Sequence, residues 1–157
     1  CSNLFHSLNW VHGEAFDLLV SNPPTFPCNV PVCKTVQDWE YAGTNGRLVL
    51  DAVIRDGRRY LAPGGVMYTI ATSKQGWCRT RQLMDLHWGS TNWEVARWIE
   101  IPLAEHYAPF IPQWLELEHI DGDPRIYSGP NGWYQRLYFI RARKVLSMDE
   151  LFPEGEV

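Results

Sequence analysis

Positive charge is in short supply in this chain of 157 residues: 14 Lys and Arg against 18 Asp and Glu leave a net charge of −4 and a pI near 5.7. No global basic field is present to recruit nucleic acid. The local clusters Arg55, Arg58, Arg59 and Arg136, Arg141, Arg143, Lys144 read as solvated helix and strand faces. Cysteine is sparse as well. The four at positions 1, 28, 33 and 78 lack the density and spacing of a secreted disulfide scaffold, which points to free thiols and a cytoplasmic location. Cys28 and Cys33, with His6, His12 and His87 elsewhere, do not form the matched ligand pairs of a zinc site. No apolar run approaches the roughly 20 residues of a membrane span, and no signal-type segment opens the chain. The absence of a Gly-x-Ser-x-Gly elbow and of a His-Glu-x-x-His helix argues against the common hydrolases. Internal repeats and low-complexity tracts are missing too.

What the chain does have is a globular composition with an aromatic excess: 45% hydrophobic residues, including 8 Trp, 7 Tyr and 6 Phe. At this length, one domain burying roughly two-thirds of its extended surface is the expectation. The sharpest local signal is Phe16-Asp17-Leu18-Leu19-Val20 running into Ser21-Asn22-Pro23-Pro24-Thr25. The apolar run is too short for a typical helix and reads as a core strand. Neither proline has a backbone N–H and each fixes its own φ, so Asn22 is held extended beside carbonyls without their usual partners. A side-chain amide next to free carbonyl acceptors is a cradle for the NH2 of an amide or a nucleobase.

Downstream, Leu50, Val53, Ile54, Gly57 and Leu61 form one stripe of a helix expected over 46–61. Thr44 or Asn45 is its candidate N-cap, and Arg47, Asp51, Arg55 and Arg58 face outward. Pro63-Gly64-Gly65 should stop that helix, and Val66 to Ala71 should form a strand. Strand, helix and strand in this rhythm predict a parallel crossover unit. Thr72 to Trp77 then follows as a loop at the strand's C-terminal end, where Lys74 and Gln75 are in reach of a substrate backbone or phosphate but read first as solvated. A helix through Arg79, Leu83, Met84 and His87 ends near Gly89, and Trp93 to Ile99 alternates as a strand. Residues 102–131 are proline-broken and read as an insertion between two antiparallel strands, its aromatics forming a satellite cluster. Asp121 and Asp123 without the rest of a calcium loop carry little weight. Trp133 to Val145 reads as the last strand, and 146–157 as an acidic tail.

Four motifs in order carry a family resemblance. Ser21-Asn22-Pro23-Pro24 after its strand resembles the Asp/Asn-Pro-Pro-aromatic motif of S-adenosylmethionine-dependent amino-methyltransferases. Ser2-Asn3-Leu4-Phe5 resembles their Gly-Asp-Leu-Phe, Gly43-Thr44-Asn45-Gly46 their Gly-Gly-x-Asp-Gly, and Leu61-Ala62-Pro63-Gly64-Gly65 their Leu-x-Pro-Gly-Gly. The nearest branch methylates glutamine N5 in release factors. The resemblance implies a Rossmann-like α/β methyltransferase sheet, parallel strands with an antiparallel C-terminal hairpin. It implies S-adenosylmethionine as cofactor and methyl transfer to a planar NH2 group, first of a protein glutamine, then of a nucleobase or a small molecule.

Asn22, Pro23, Pro24 and Thr25 take the catalytic positions in that resemblance. Asn3, Leu4, Ser21 and Asn22 take the cofactor-binding ones, Asn3 serving equally well as a local cap. Thr25 departs from the family's stacking aromatic, so Phe26, Trp39 or Trp77 would have to supply that face. No Gly-x-Gly-x-Gly turn occurs, and residue 1 is not Met. Residues 1–145 are therefore expected to be the C-terminal part of a methyltransferase domain. Its cofactor half would precede it or come from a partner chain, leaving the first strand's edge open. The opposing expectation, motivated by Thr25 and the missing glycine loop, is a non-catalytic binding or assembly module.

Overall fold

The sheet grows from a parallel pair. β1 (Phe16–Ser21) lies beside β2 (Leu61–Thr72), with Leu19 against Met67 and Ser21 against Thr69. A parallel pair needs a crossover, and α1 (Leu50–Asp56) with a following 3-10 turn over Gly57–Tyr60 supplies it. The computed structural model describes residues 16–29 and 40–146 of the chain. Within them, α2 (Trp77–Trp88) leads to β3 (Trp93–Pro102), a 3-10 turn (Glu105–Phe110) and α3 (Ile111–Asp121). The short β4 (Tyr127–Gly129) then turns into the long β5 (Gly132–Arg143). Strand order is β1-β2-β5-β3, with β5 antiparallel to both neighbours and β4 paired to β5. The fold is mixed α/β: an open, mostly antiparallel sheet with one parallel pair.

Alternation along the strands puts Met67, Ala71, Tyr138, Ile140 and Ala142 on one face, where α1 and α2 cover them with Leu50, Val53, Ile54, Leu83, Met84 and Trp88. The helical stripe read from the sequence is the one that is buried. Its helix is shorter than expected, however, because Gly46 sits at φ +78 and residues 44–49 are turns. Neither Thr44 nor Asn45 caps it: Val49 is the N-cap, and Asn45 Oδ1 instead accepts from the Arg47 N–H at 3.1 Å. Arg47 does not face outward. It is 6% exposed, donating through Nη1 to the Gln75 carbonyl (2.9 Å), the Gly76 carbonyl (3.1 Å) and Thr80 Oγ1 (2.6 Å), with Asp51 as ion-pair partner. Burial holds its guanidinium below the usual range.

Pro63-Gly64-Gly65 does not precede β2 but lies inside it. Phe16 pairs with Leu61 and Leu18 with Val66, so the intervening residues of β2 swell out of the ladder as a bulge. Lys144, expected on a solvated face, is buried and spans this bulge: its Nζ donates to the Leu61 carbonyl at 2.9 Å, and its N–H to the Gly65 carbonyl at 2.8 Å. β1 is not a buried core strand. It ends the sheet among the described residues, and Leu18 and Val20 are 56% and 71% exposed on the face opposite α1 and α2. Tyr68 beside Val20 is also exposed there.

Residues 102–131, the segment read as an insertion, connect the antiparallel strands β3 and β5 and share a second cluster with the 22–29 loop, in which Phe26, Cys28, Phe110, Trp114 and Ile126 are buried. Its acidic residues have structural partners: Asp121 pairs with Arg125, and Asp123 Oδ2 accepts from the Cys78 N–H (2.7 Å) at the start of α2. No cluster of three or more metal-ligating side chains occurs among the described residues. Cys28 is disulfide-bonded, its partner lying outside the described residues, so among the described residues the expected free thiol holds only for the exposed Cys78. The thiol argument for a reducing compartment lapses accordingly. No described helix is long and apolar enough to cross a membrane.

Candidate functional site

Two loops meet at the C-terminal end of the parallel pair, the edge at which open α/β sheets place ligands. One is the 22–29 segment leaving β1, and the other is the 3-10 turn Ser73–Gln75 leaving β2. Between them and the insertion lies a cavity of about 160 Å³ lined by Asn22, Pro23, Pro24, Thr25, Phe26, Glu40, Lys74 and Tyr107. That volume is below the roughly 300–1,000 Å³ of whole-ligand sites and suits one inserted planar group. A larger depression of about 310 Å³, lined by Thr91 to Glu94, Arg141, Arg143 and Val145, is open and more distant from these loops in sequence and fold.

The Asn-Pro-Pro turn is positioned from behind. Gln75 is fully buried: its Oε1 accepts from the Thr72 N–H at 2.9 Å, and its Nε2 donates to the Gly46 carbonyl at 2.7 Å and the Pro24 carbonyl at 3.3 Å. One amide thus ties the end of β2 to both other loops. The Pro24 carbonyl is consequently not the free acceptor expected, because Gln75 already occupies it. The exit of the turn is fixed by a parallel bridge, with the Phe26 N–H on the Glu40 carbonyl (3.1 Å) and the Ala42 N–H on the Phe26 carbonyl (3.0 Å).

Gly46 makes this meeting possible. At φ +78, with an added Cβ only 2.9 Å from Pro27 Cγ and 3.1 Å from Gln75 Cγ, an alanine would be both strained and crowded. Gly46→Ala is expected to lower unfolding free energy by about 1–3 kcal/mol, measured as a shift in urea midpoint at unchanged m.

The structure brings together Ser21, Asn22, Pro23, Pro24 and Thr25 at the end of β1, with Asn22 exposed at the cavity's rim. Phe26 is there too, but not as a free stacking face. It is 3% exposed, edge-on to Phe110 (4.7 Å) and Trp114 (5.4 Å), because the insertion needs an anchor in this loop. Trp77 is not part of the cavity lining. It stacks on Tyr138 at 3.8 Å and meets Trp93 edge-on, which puts it on the α2 side of the sheet. Trp39, Asn3 and Leu4 lie outside the described residues.

Lys74 is the residue whose role the sequence misassigned most. Read as solvated, it is 3% exposed, with Nζ 5.1 Å from the ring centroids of Phe26, Tyr107 and Trp114. Aromatic faces stabilise an ammonium without hydrogen-bonding it. Burial pushes its pKa down to about 8, against a smaller opposing pull from Glu40. The signal available in the sequence was position alone, two residues past a core strand's C-terminal end. Glu40, and Tyr107 from the insertion, are the other lining residues outside the site read from the sequence.

A stability signature follows from Lys74. Between about pH 8 and its ordinary 10.5 the unfolded chain holds this proton and the folded chain does not, so its destabilising effect fades as pH rises through that window. Below the window the buried charge costs up to about 3 kcal/mol. Lys74→Met keeps the apolar stem and removes the charge, so it is expected to stabilise the fold by about 1–3 kcal/mol at pH 7 and by almost nothing at pH 10.5. Urea unfolding of both proteins at the two pH values checks this.

No family model, curated protein or solved structure matches this chain.

Proposed function

We propose that this chain forms the acceptor side of an S-adenosylmethionine-dependent methyltransferase acting on a planar NH2 nitrogen. The observation that carries the reading is the Ser21-Asn22-Pro23-Pro24 turn. It leaves the C-terminal end of a parallel strand with Asn22 exposed on a cavity sized for one planar group. Asn22 Oδ1 and the Pro23 carbonyl are the acceptors that would hold the two N–H bonds, turning the nitrogen lone pair outward from the turn. The cofactor, when bound, supplies an electrophilic sulfonium methyl, so the protein has to position and desolvate the nitrogen rather than remove a proton strongly.

The described residues fit that acceptor role, and of the cofactor contacts implied by the resemblance only Ser21 and Asn22 fall among them. The sheet supports a missing cofactor half. Its face opposite α1 and α2 carries the exposed Leu18, Val20 and Tyr68, and β1 has an unpaired edge among the described residues. That half would come from preceding sequence or from a partner chain. A protein glutamine is the first substrate class: with Phe26 buried and Thr25 at the aromatic's position, the turn offers little face for stacking a base.

The second reading, a non-catalytic binding or assembly module, draws on the same two residues. Isothermal calorimetry of S-adenosylmethionine against this chain and against a form extended upstream separates them. Binding by the extended form alone is the expected result, and no binding by either form favours the module.

A further inference from the structure

The amine of Lys74 is the unexplained group of this cavity. It is buried and lines the cavity together with the Asn-Pro-Pro turn, and no described residue accepts a hydrogen bond from it. Its surroundings are three aromatic rings at 5.1 Å and, more remotely, the carboxylate of Glu40. The buried arginines, Arg47 and Arg125, differ in that each reaches backbone carbonyls and a carboxylate, although Arg125 Nε itself has no partner. The cavity is the amine's polar opening, and a ligand oxygen there would supply the acceptor that the described residues do not.

The cavity lining also has both polarities. Lys74 offers donors, and Asn22, Glu40 and the Pro23 carbonyl offer acceptors. A bare anion would meet Glu40, and a purely donating group would leave Lys74 unpaired. A carboxamide satisfies both, with its NH2 on the acceptors and its carbonyl oxygen on Lys74.

We propose that Lys74 is a substrate-positioning residue whose Nζ donates to the carbonyl oxygen of an inserted carboxamide, fixing which way round the amide enters. This rests on the reading of Asn22 as the holder of the NH2 group, and it adds a residue that recognises the acceptor beside that nitrogen.

The test is an NMR titration of the chain with N-acetylglutamine N-methylamide, following the Lys74 ε-methylene and Asn22 side-chain NH2 signals, with cytidine and adenosine as parallel probes. Saturable, concerted shifts of both signals with the amide alone are expected, and an affinity at least tenfold weaker in Lys74→Met, read at Asn22. Shifts at Asn22 without Lys74, equal affinity in a folded Lys74→Met, or saturation by a nucleoside instead would overturn the assignment. Should Lys74→Met fail to fold by circular dichroism, the wild-type Lys74 signal decides. The two proposals fail separately. Amide binding at Lys74 in a protein that never binds S-adenosylmethionine removes the methyl transfer and leaves the positioning role; transfer with unchanged Lys74→Met kinetics does the reverse.

Discussion

Gln75→Ala is expected to destabilise the fold by about 3–5 kcal/mol, the largest stability loss of any single polar truncation near the site. The side chain is fully buried, and three backbone groups depend on it: the Thr72 N–H, the Gly46 carbonyl and the Pro24 carbonyl. Truncation leaves each of them short of a partner away from water, at about 1–3 kcal/mol apiece, although the 3.3 Å contact to Pro24 is the weakest. Gln75→Glu separates shape from polarity. It retains the acceptor for Thr72 but turns the donor end into a carboxylate facing two carbonyls, so it should be at least as harmful at pH 7. Urea unfolding followed by tryptophan fluorescence measures both. A loss below about 1 kcal/mol would mean that the three loops are held together by packing alone.

Asn22→Ala should do the opposite, leaving stability within about 0.5 kcal/mol of wild type while lowering methyl transfer at least 100-fold. Asn22 is exposed at the rim and none of the loop-to-loop bonds around the turn uses its side chain. Its removal therefore costs the fold little, whereas a transfer that depends on aiming one lone pair loses its aim. The variant is assayed in the longest natural form of the chain, with cofactor affinity measured alongside turnover. Unchanged affinity with lost turnover is the expected pair of results. Wild-type turnover in Asn22→Ala would remove the functional reading.

These two residues also mark what could be read in advance. The place of Asn22 just past the end of β1 was legible, because an apolar run halted by two prolines marks a strand end through constraints that need no distant contact. Gln75 and Lys74 were not. A polar tripeptide after a strand is solvated unless something is packed on it, and here the insertion is. Arg125 donates to the Lys74 carbonyl at 3.0 Å, and Ser73 Oγ to the Arg125 carbonyl at 2.6 Å, closing 102–131 over the turn. Arg47 was misread for a different reason: a helical wheel assumes a helix, and Gly46 delays its start to Leu50.

By itself, then, the sequence determined that the main strands and the first two helices exist and where the turn falls, but not every boundary, nor α3. Apolar period separates the alternating β3 and β5 from the striped α1, and Pro and Gly punctuate them through constraints internal to one or two residues. Only the tertiary structure decided which polar side chains are interior. It made β1 an edge strand, put Phe26 into the insertion's core and buried Lys74 with three rings around its amine. The physical reason is that burial of a charged or amide group depends on acceptors and surfaces brought from distant parts of the chain, and no local pattern encodes those.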